Sequence, residues 1–285
     1  MITLKQKNFN LQQISSSGQC FRMKPIVCNA ESGYEIIASD HLLFAQQEDD
    51  LCKFHCSREE FEQFWYSYFD LGTDYKSYID AIYPDDEYLT NAAACGNGIR
   101  ILRQDLWEMI ITFLISQQNN IVRIRHCIDN ICRRYGKEMP TAEGGIYYSF
   151  PDPDSLAGAT DEDLKACNVG YRSKYIMRTA KSIASGEMNL EDIRRMGYSE
   201  AKTELLKLYG VGAKVADCIC LFALHRLEAF PVDTHIHQAV EKHYRDGFPA
   251  EKYSGFEGVL QQYIFYYELN GLKQSQIDKK LKIEN

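Results

Sequence analysis

The sequence predicts an α+β protein in which a small antiparallel β unit precedes a part that reads as almost entirely helical. Three observations carry this. Residues 33–56 fall into short apolar runs separated by polar breaks. Gly96-Asn97-Gly98 is the clearest boundary along the chain. Beyond it, apolar residues recur at helical spacing behind recognisable helix-start signals.

The β runs are 34–38, 42–45 and 51–56, with breaks at Ser39-Asp40-His41 and 46–50, the pattern of antiparallel hairpins. Ser57-Arg58-Glu59-Glu60 reads as a capping box opening an aromatic-rich helix through Phe69. The boundary then divides the chain into residues 1–97 and 98–285. Asp105-Leu106-Trp107-Glu108 is a second capping box, and 109–115 is apolar all round, as a buried central helix requires. Its partner starts after Gln117-Gln118-Asn119-Asn120 and runs to about Tyr135. Further helices are expected near 161–167, 171–186, 189–195, 198–208 and 213–225. Asp233 opens the next helix, and 256–269 closes the fold.

A chain of 285 residues can bury one large core or two smaller ones. No apolar run approaches the roughly 18 residues that a membrane span needs. No signal-peptide core precedes Asn10, so a cytosolic protein without membrane contact is expected. Net charge is −8, which argues against coating nucleic acid by bulk charge. The charge is uneven, however. Residues 1–100 hold 8 Lys/Arg against 15 Asp/Glu, whereas residues 165–214 hold 10 against 5. The ten cysteines are scattered, without paired zinc spacing, and read as free thiols of a reducing compartment.

The densest chemical signal begins at Leu205. An apolar helix runs into Gly210-Val211-Gly212, a second helix opens with Lys214 in its first turn, and Pro231-Val232-Asp233 follows. Gly210 and Gly212 permit positive φ and a close backbone approach. The unpaired amides at the new helix start suit an anion such as a phosphate. The helix dipole disfavours an ammonium there, which makes Lys214 a candidate amine nucleophile. Asp233, 19 residues on, serves both as N-cap and as a carboxylate placed to stabilise a developing cation.

The run from Gly210 to Leu221, with Pro231-Val232-Asp233-Thr234-His235, resembles the site of the 8-oxoguanine DNA glycosylase/AP lyase family, within the helix-hairpin-helix-GPD glycosylase superfamily. The similarity takes in Ser17-Gly18-Gln19-Cys20-Phe21-Arg22, Arg100 to Arg123, Gly170-Tyr171-Arg172, and Gln261 with Phe265. It implies a β domain packed on a two-lobed helical core, with the helix-hairpin-helix at about 199–225. It also implies that Lys214 attacks C1′ of a damaged nucleoside, expels the base through a Schiff base and nicks the strand by β-elimination, with Asp233 assisting.

The same resemblance assigns the remaining parts. Cys218 and Phe265 sandwich the extruded base, Gln261 reads its Watson–Crick edge, and the Gly18 carbonyl accepts the N7 hydrogen that guanine lacks. Gln118, Asn119, Asn120 and Arg123 fill the gap and read the orphaned cytosine, although the family usually has asparagine at the place of Gln118. Tyr171 is the wedge and Arg172 a second reader. Gly210, Gly212 and His235 meet phosphates, and the carbonyls of Leu206, Leu208 and Val211 form a monovalent-cation position. Several superfamily relatives carry an iron–sulfur cluster in a four-cysteine loop after the aspartate; here no cysteine follows Cys220, so no cluster or other cofactor is expected.

The expected partner is duplex DNA containing 8-oxoguanine opposite cytosine, bound by a monomer. The expected location is a bacterial or archaeal cytoplasm, or the nucleus in a eukaryote. Two alternatives stay open. A monofunctional alkylated-base glycosylase would keep the aspartate but lacks a lysine at position 214. A hairpin module that only binds DNA needs neither Lys214 nor Asp233.

Overall fold

A computed structural model describes residues 1–28, 31–141 and 144–271. Five strands, β1 (Ile2–Lys5), β2 (Met23–Cys28), β3 (Glu31–Ala38), β4 (His41–Glu48) and β5 (Leu51–Phe54), form one antiparallel sheet in the order β1-β5-β4-β3-β2. Register follows the apolar alternation. Ile36 faces Leu43 and Ala45 faces Phe54, all four buried, so a one-residue slip would turn this set to solvent. Ser39 (φ 53°) and Asp49 (φ 52°) supply the left-handed turn conformations that two-residue hairpins favour.

The buried face packs on Phe9, Leu11 and Ile14 and on the aromatic segment after Ser57. Ser57 caps that segment by accepting from the Glu60 amide. Its middle, Phe61–Trp65, widens to π-helical geometry. Phe61 and Phe69 both stand against Phe54, with ring centroids 5.2 and 5.5 Å away.

The expected division at 97 follows the strongest turn signal, but apolar packing changes sides earlier, between Leu71 and Tyr75. Helices Tyr75–Asp80 and Glu87–Cys95 send Tyr75, Leu89, Ala92 and Ala93 into the helical core. Buried Arg100 clamps the two parts together. Its guanidinium donates to the carbonyls of Lys7, Asn8, Asp70 and Thr73.

Helix Leu106–Ser116 is the buried axis of the helical part. Asp105 caps it as expected, accepting from the Glu108 amide at 2.9 Å. The Glu108 carboxylate does not close a capping box. It turns to Arg22 (3.5 Å) and the Ser39 amide (3.2 Å), tying the central helix to the sheet. Helices Ile121–Tyr135, Asp161–Ala166, Leu190–Arg195, Tyr198–Leu205, Ala213–Phe222, Thr234–His243 and Glu257–Tyr266 fall where helical spacing places them. The segment from 171 divides into a 3-10 turn, Gly170–Arg172, and the helix Ser173–Ala184. A short ladder, Glu138–Pro140 with Ile146–Tyr148, had no sequence signal. Among the described residues no helix is long and apolar enough to cross a membrane.

Candidate active site

The hairpin is built as its glycines suggest. Gly210 adopts φ +93°, and a Cβ there would lie 2.5 Å from the Tyr175 ring. Only glycine fits, because the tyrosine packs directly on the turn. Leu208 and Val211 are buried beneath it, Leu206 and Tyr209 are exposed, and Arg178 lies 4.1 Å over the Tyr209 ring. The Leu208 carbonyl accepts from the Val211 amide at 3.0 Å. Those of Leu206 and Val211 accept nothing from backbone amides outside helices among the described residues. Gly212 caps helix Ala213–Phe222 without a side-chain hydrogen bond, so no cap occupies the first-turn amides.

Lys214 is half-buried in that first turn, its Nζ 5.6 Å from the centre of the Phe113 ring. Cys218, one turn on, is buried beside it. Burial pushes the Cys218 thiol upward, while the neighbouring Lys214 ammonium pulls it back. Cys218 therefore stays a neutral packing group beside the Lys214 amine. Asp217, on the same helix, holds the two hairpin helices in register through Lys202 (2.7 Å) and the Tyr198 hydroxyl (2.6 Å).

Asp233 caps the next helix, its Oδ1 accepting from the Ile236 amide at 2.9 Å. Among the described residues Oδ2 has no hydrogen-bond partner. Lys214 and Asp233 thus start two different helices and line one cleft of about 1590 Å³. Gly18, Gln118, Asn119, Asn120, Arg123, Gly212, His235 and Phe265 line the same cleft. Gly18, at φ +76°, lies against Phe265, where a Cβ would come 2.9 Å from Cε1. The His235 ring stands edge-on to Phe265, with centroids 6.2 Å apart.

Besides Gly210 and the hairpin carbonyls, four expected site residues do not line this cleft; one is Cys218, buried beneath Lys214. Gln261 is 3 % exposed and its amide is spent inside the protein, Nε2 donating to the Pro231 carbonyl and Oε1 accepting from Gln262. Arg172 is buried under the loop at 117–118 rather than in the cleft. Tyr171 is exposed beside the hairpin and does not line the cleft. Conversely, Phe21 and Phe113 do line it. Phe113 was masked by lying in an all-apolar helix, where nothing marks the one ring that meets Lys214. Gln117 had no assigned role, yet its Nε2 donates to the Gly210 carbonyl at 3.0 Å.

Residues 1–110 match the family described as 8-oxoguanine DNA glycosylase, N-terminal domain, and residues 111–253 match the HhH-GPD superfamily of base excision DNA repair proteins. The chain is 35 % identical over 190 residues to an N-glycosylase/DNA lyase of Saccharomyces cerevisiae, covering 62 % of this chain and 50 % of that protein. It is 30 % identical over 241 residues to a probable N-glycosylase/DNA lyase of Methanothermobacter thermautotrophicus, covering 75 % of each. The match therefore spans half the length of the yeast protein and three quarters of the archaeal one. Among solved structures, the chain is similar to the Clostridium acetobutylicum 8-oxoguanine glycosylase/lyase in complex with double-stranded DNA containing cytosine opposite 8-oxoguanine. The TM-score is 0.87 at 35 % identity, over 95 % of this chain and 98 % of that one.

Proposed function

Since the chain belongs to the HhH-GPD superfamily of base excision DNA repair proteins and carries an 8-oxoguanine DNA glycosylase N-terminal domain, we propose that it excises 8-oxoguanine from duplex DNA and nicks the resulting abasic strand. The observation that carries this reading is the convergence of an amine and a carboxylate, Lys214 and Asp233, on one cleft, the first from the opening turn of one helix and the second from the N-cap of the next. An enzyme that used water would need the carboxylate alone.

In this reading the duplex is gripped at the hairpin amides and the damaged nucleotide turns out of the stack into the cleft. The neutral Lys214 amine forms a bond to C1′ as the bond from C1′ to the base breaks and the base leaves with a proton. The sugar ring opens to a Schiff base between Nζ and C1′. Loss of a proton from C2′ then drives departure of the 3′ phosphate, and water releases the lysine. Asp233 stabilises the cationic character that develops at the sugar.

The cleft that Gly18 and Phe265 line receives the base. The Gly18 carbonyl pairs with the N7 hydrogen of 8-oxoguanine and would face a lone pair on guanine. Gln261 reaches the base edge by exchanging its bond to Pro231 for one to the base. A monovalent cation on the Leu206, Leu208 and Val211 oxygens suits this donor set and would stiffen the turn; no step depends on it. Cytosine is the opposite base, and the protein acts where the chromosome lies, in a bacterial or archaeal cytoplasm or a eukaryotic nucleus.

Incubation with a duplex bearing one 8-oxoguanine opposite cytosine, in borohydride, is expected to yield a covalent protein–DNA adduct together with free 8-oxoguanine. Base release without adduct would replace this reading by the monofunctional one. Neither product would leave a binding module. Gly18→Ala adds a methyl against Phe265 and strains φ, so the ratio of binding constants for 8-oxoguanine over guanine should fall about tenfold. An unchanged ratio would remove Gly18 from base recognition.

A further inference from the structure

Helix Ser173–Ala184 has two unlike faces. It buries Ile176 and Ala180 in the helical core, while Lys174, Arg178 and Lys181 stand exposed on its outer side. Spacings of four and then three residues set these cations in one row. The helix contains no acid, and none of the three side chains forms an ion pair or a hydrogen bond among the described residues. Asp161, beside the helix start, is bonded to Ser173 and Lys165. Cations nearer the hairpin are already engaged, Lys202 with Asp217 at 2.7 Å and Lys207 with Glu204. In a chain of net charge −8, this row is a directed, uncompensated positive charge.

The row is joined to the hairpin. Tyr175, from the same helix, packs on Gly210 and stands edge-on to the Tyr209 ring, with centroids 5.3 Å apart. Tyr209 is 48 % exposed at the turn, and the Arg178 guanidinium carbon lies 4.1 Å from its ring centre. A guanidinium stacked on a ring keeps its N–H donors in its own plane, directed outward. The ring therefore orients the fork without occupying it. A fork so held matches a phosphate, which accepts two parallel N–H bonds. Lys174 and Lys181 flank it, about 10 Å apart along the helix axis, room for two or three phosphates of one strand.

Resting on the action on duplex DNA put forward above, we propose that Lys174, Arg178 and Lys181 form a second track for the DNA backbone, continuous with the hairpin, with Arg178 over Tyr209 as its anchor. The hairpin takes phosphate at uncapped backbone amides, and the track takes further phosphates of the same duplex at side chains. Contacts to phosphate carry no base information. The track thus strengthens binding to undamaged and damaged duplex by the same factor and leaves discrimination to the cleft. An acidic protein thereby holds undamaged DNA while it searches.

Binding is measured by fluorescence anisotropy across a salt series, on an undamaged duplex and on the same duplex with one 8-oxoguanine opposite cytosine. Neutralising the row with Lys174→Gln, Arg178→Gln and Lys181→Gln together should lower the slope of log affinity against log salt by about two to three. Both duplexes should weaken by one common factor of at least about tenfold near 0.1 M salt, with single-turnover excision at saturating protein within about twofold of wild type. Lys5→Gln, Arg58→Gln and Lys76→Gln together remove the same charge from exposed sites in the N-terminal part, and should leave the slope within about 0.5 of wild type. An equal fall in that control, or an unchanged slope in the first variant, would reduce the row to a solvated helix face. Tyr209→Leu should weaken binding about threefold and Tyr209→Phe not at all, and Tyr209→Leu should cost nothing further once Arg178→Gln is present. Additive losses would overturn the anchor. Undamaged DNA calls for no base release, so a wild type that shows the expected slopes yet releases no 8-oxoguanine would overturn the functional reading alone.

Discussion

Lys214→Gln is expected to abolish the borohydride-trapped adduct and strand nicking, lowering base release by at least about 10³-fold, or about 4 kcal/mol of transition-state stabilisation. The size follows from the chemistry. Glutamine keeps a polar stem of similar length over the Phe113 ring, so packing changes little, but its amide nitrogen has no basic lone pair to form the bond to C1′. The fold should survive, since the helix start is built from Gly212 and the hairpin rather than from the lysine side chain. Binding to lesion DNA should stay within about tenfold of wild type, a margin of about 1.4 kcal/mol. Retained nicking would transfer the nucleophile to another group, and Cys218, neutral and buried, would be the first to examine.

Asp233→Asn separates two roles that share one side chain. Asparagine caps a helix about as well as aspartate, so the bond to the Ile236 amide persists and the melting temperature should stay within about 2 °C. The charge is lost, and excision should fall by about 10²–10³-fold, the range for removing one preorganised electrostatic contact. Asp233→Ala should lose the same rate and, in addition, about 1 kcal/mol of stability with the cap. A slow but stable Asn variant beside a slow and less stable Ala variant is the expected pair. Full activity in Asp233→Asn would reduce Asp233 to a helix cap.

Much of this was legible because it is local. Caps at Ser57, Asp105 and Asp233, the hairpin glycines and the alternation in β3 to β5 all operate within a few residues of themselves. β2 was missed because Pro25 reads as a strand breaker, and it is tolerated because β2 is a sheet edge, where its missing donor faces no partner. The positions of Gln261 and Arg172 were illegible for a different reason. Their polar ends bond to carbonyls at Pro231 and Gln117, which lie far off along the chain. Composition and spacing carry no record of such partners. The helices at 75–95 pack with the helical core although they precede the Gly-Asn-Gly turn, because a turn is a local signal and core membership is not.

The contact between Gly18 and Phe265 bears on the order in which competence arises. It closes almost the longest loop the described chain contains, and contacts of such separation form late, after local structure has set. The lysine-bearing hairpin is local and needs no such closure. On the proposed mechanism, a molecule caught midway through folding would hold an amine able to capture an open sugar aldehyde before it could tell one base from another. In interrupted refolding, trapping on abasic DNA should precede release of 8-oxoguanine, and simultaneous onset would contradict that order. On that order reactivity would come first and judgement last, and lesion selectivity would be the first property that partial unfolding removes.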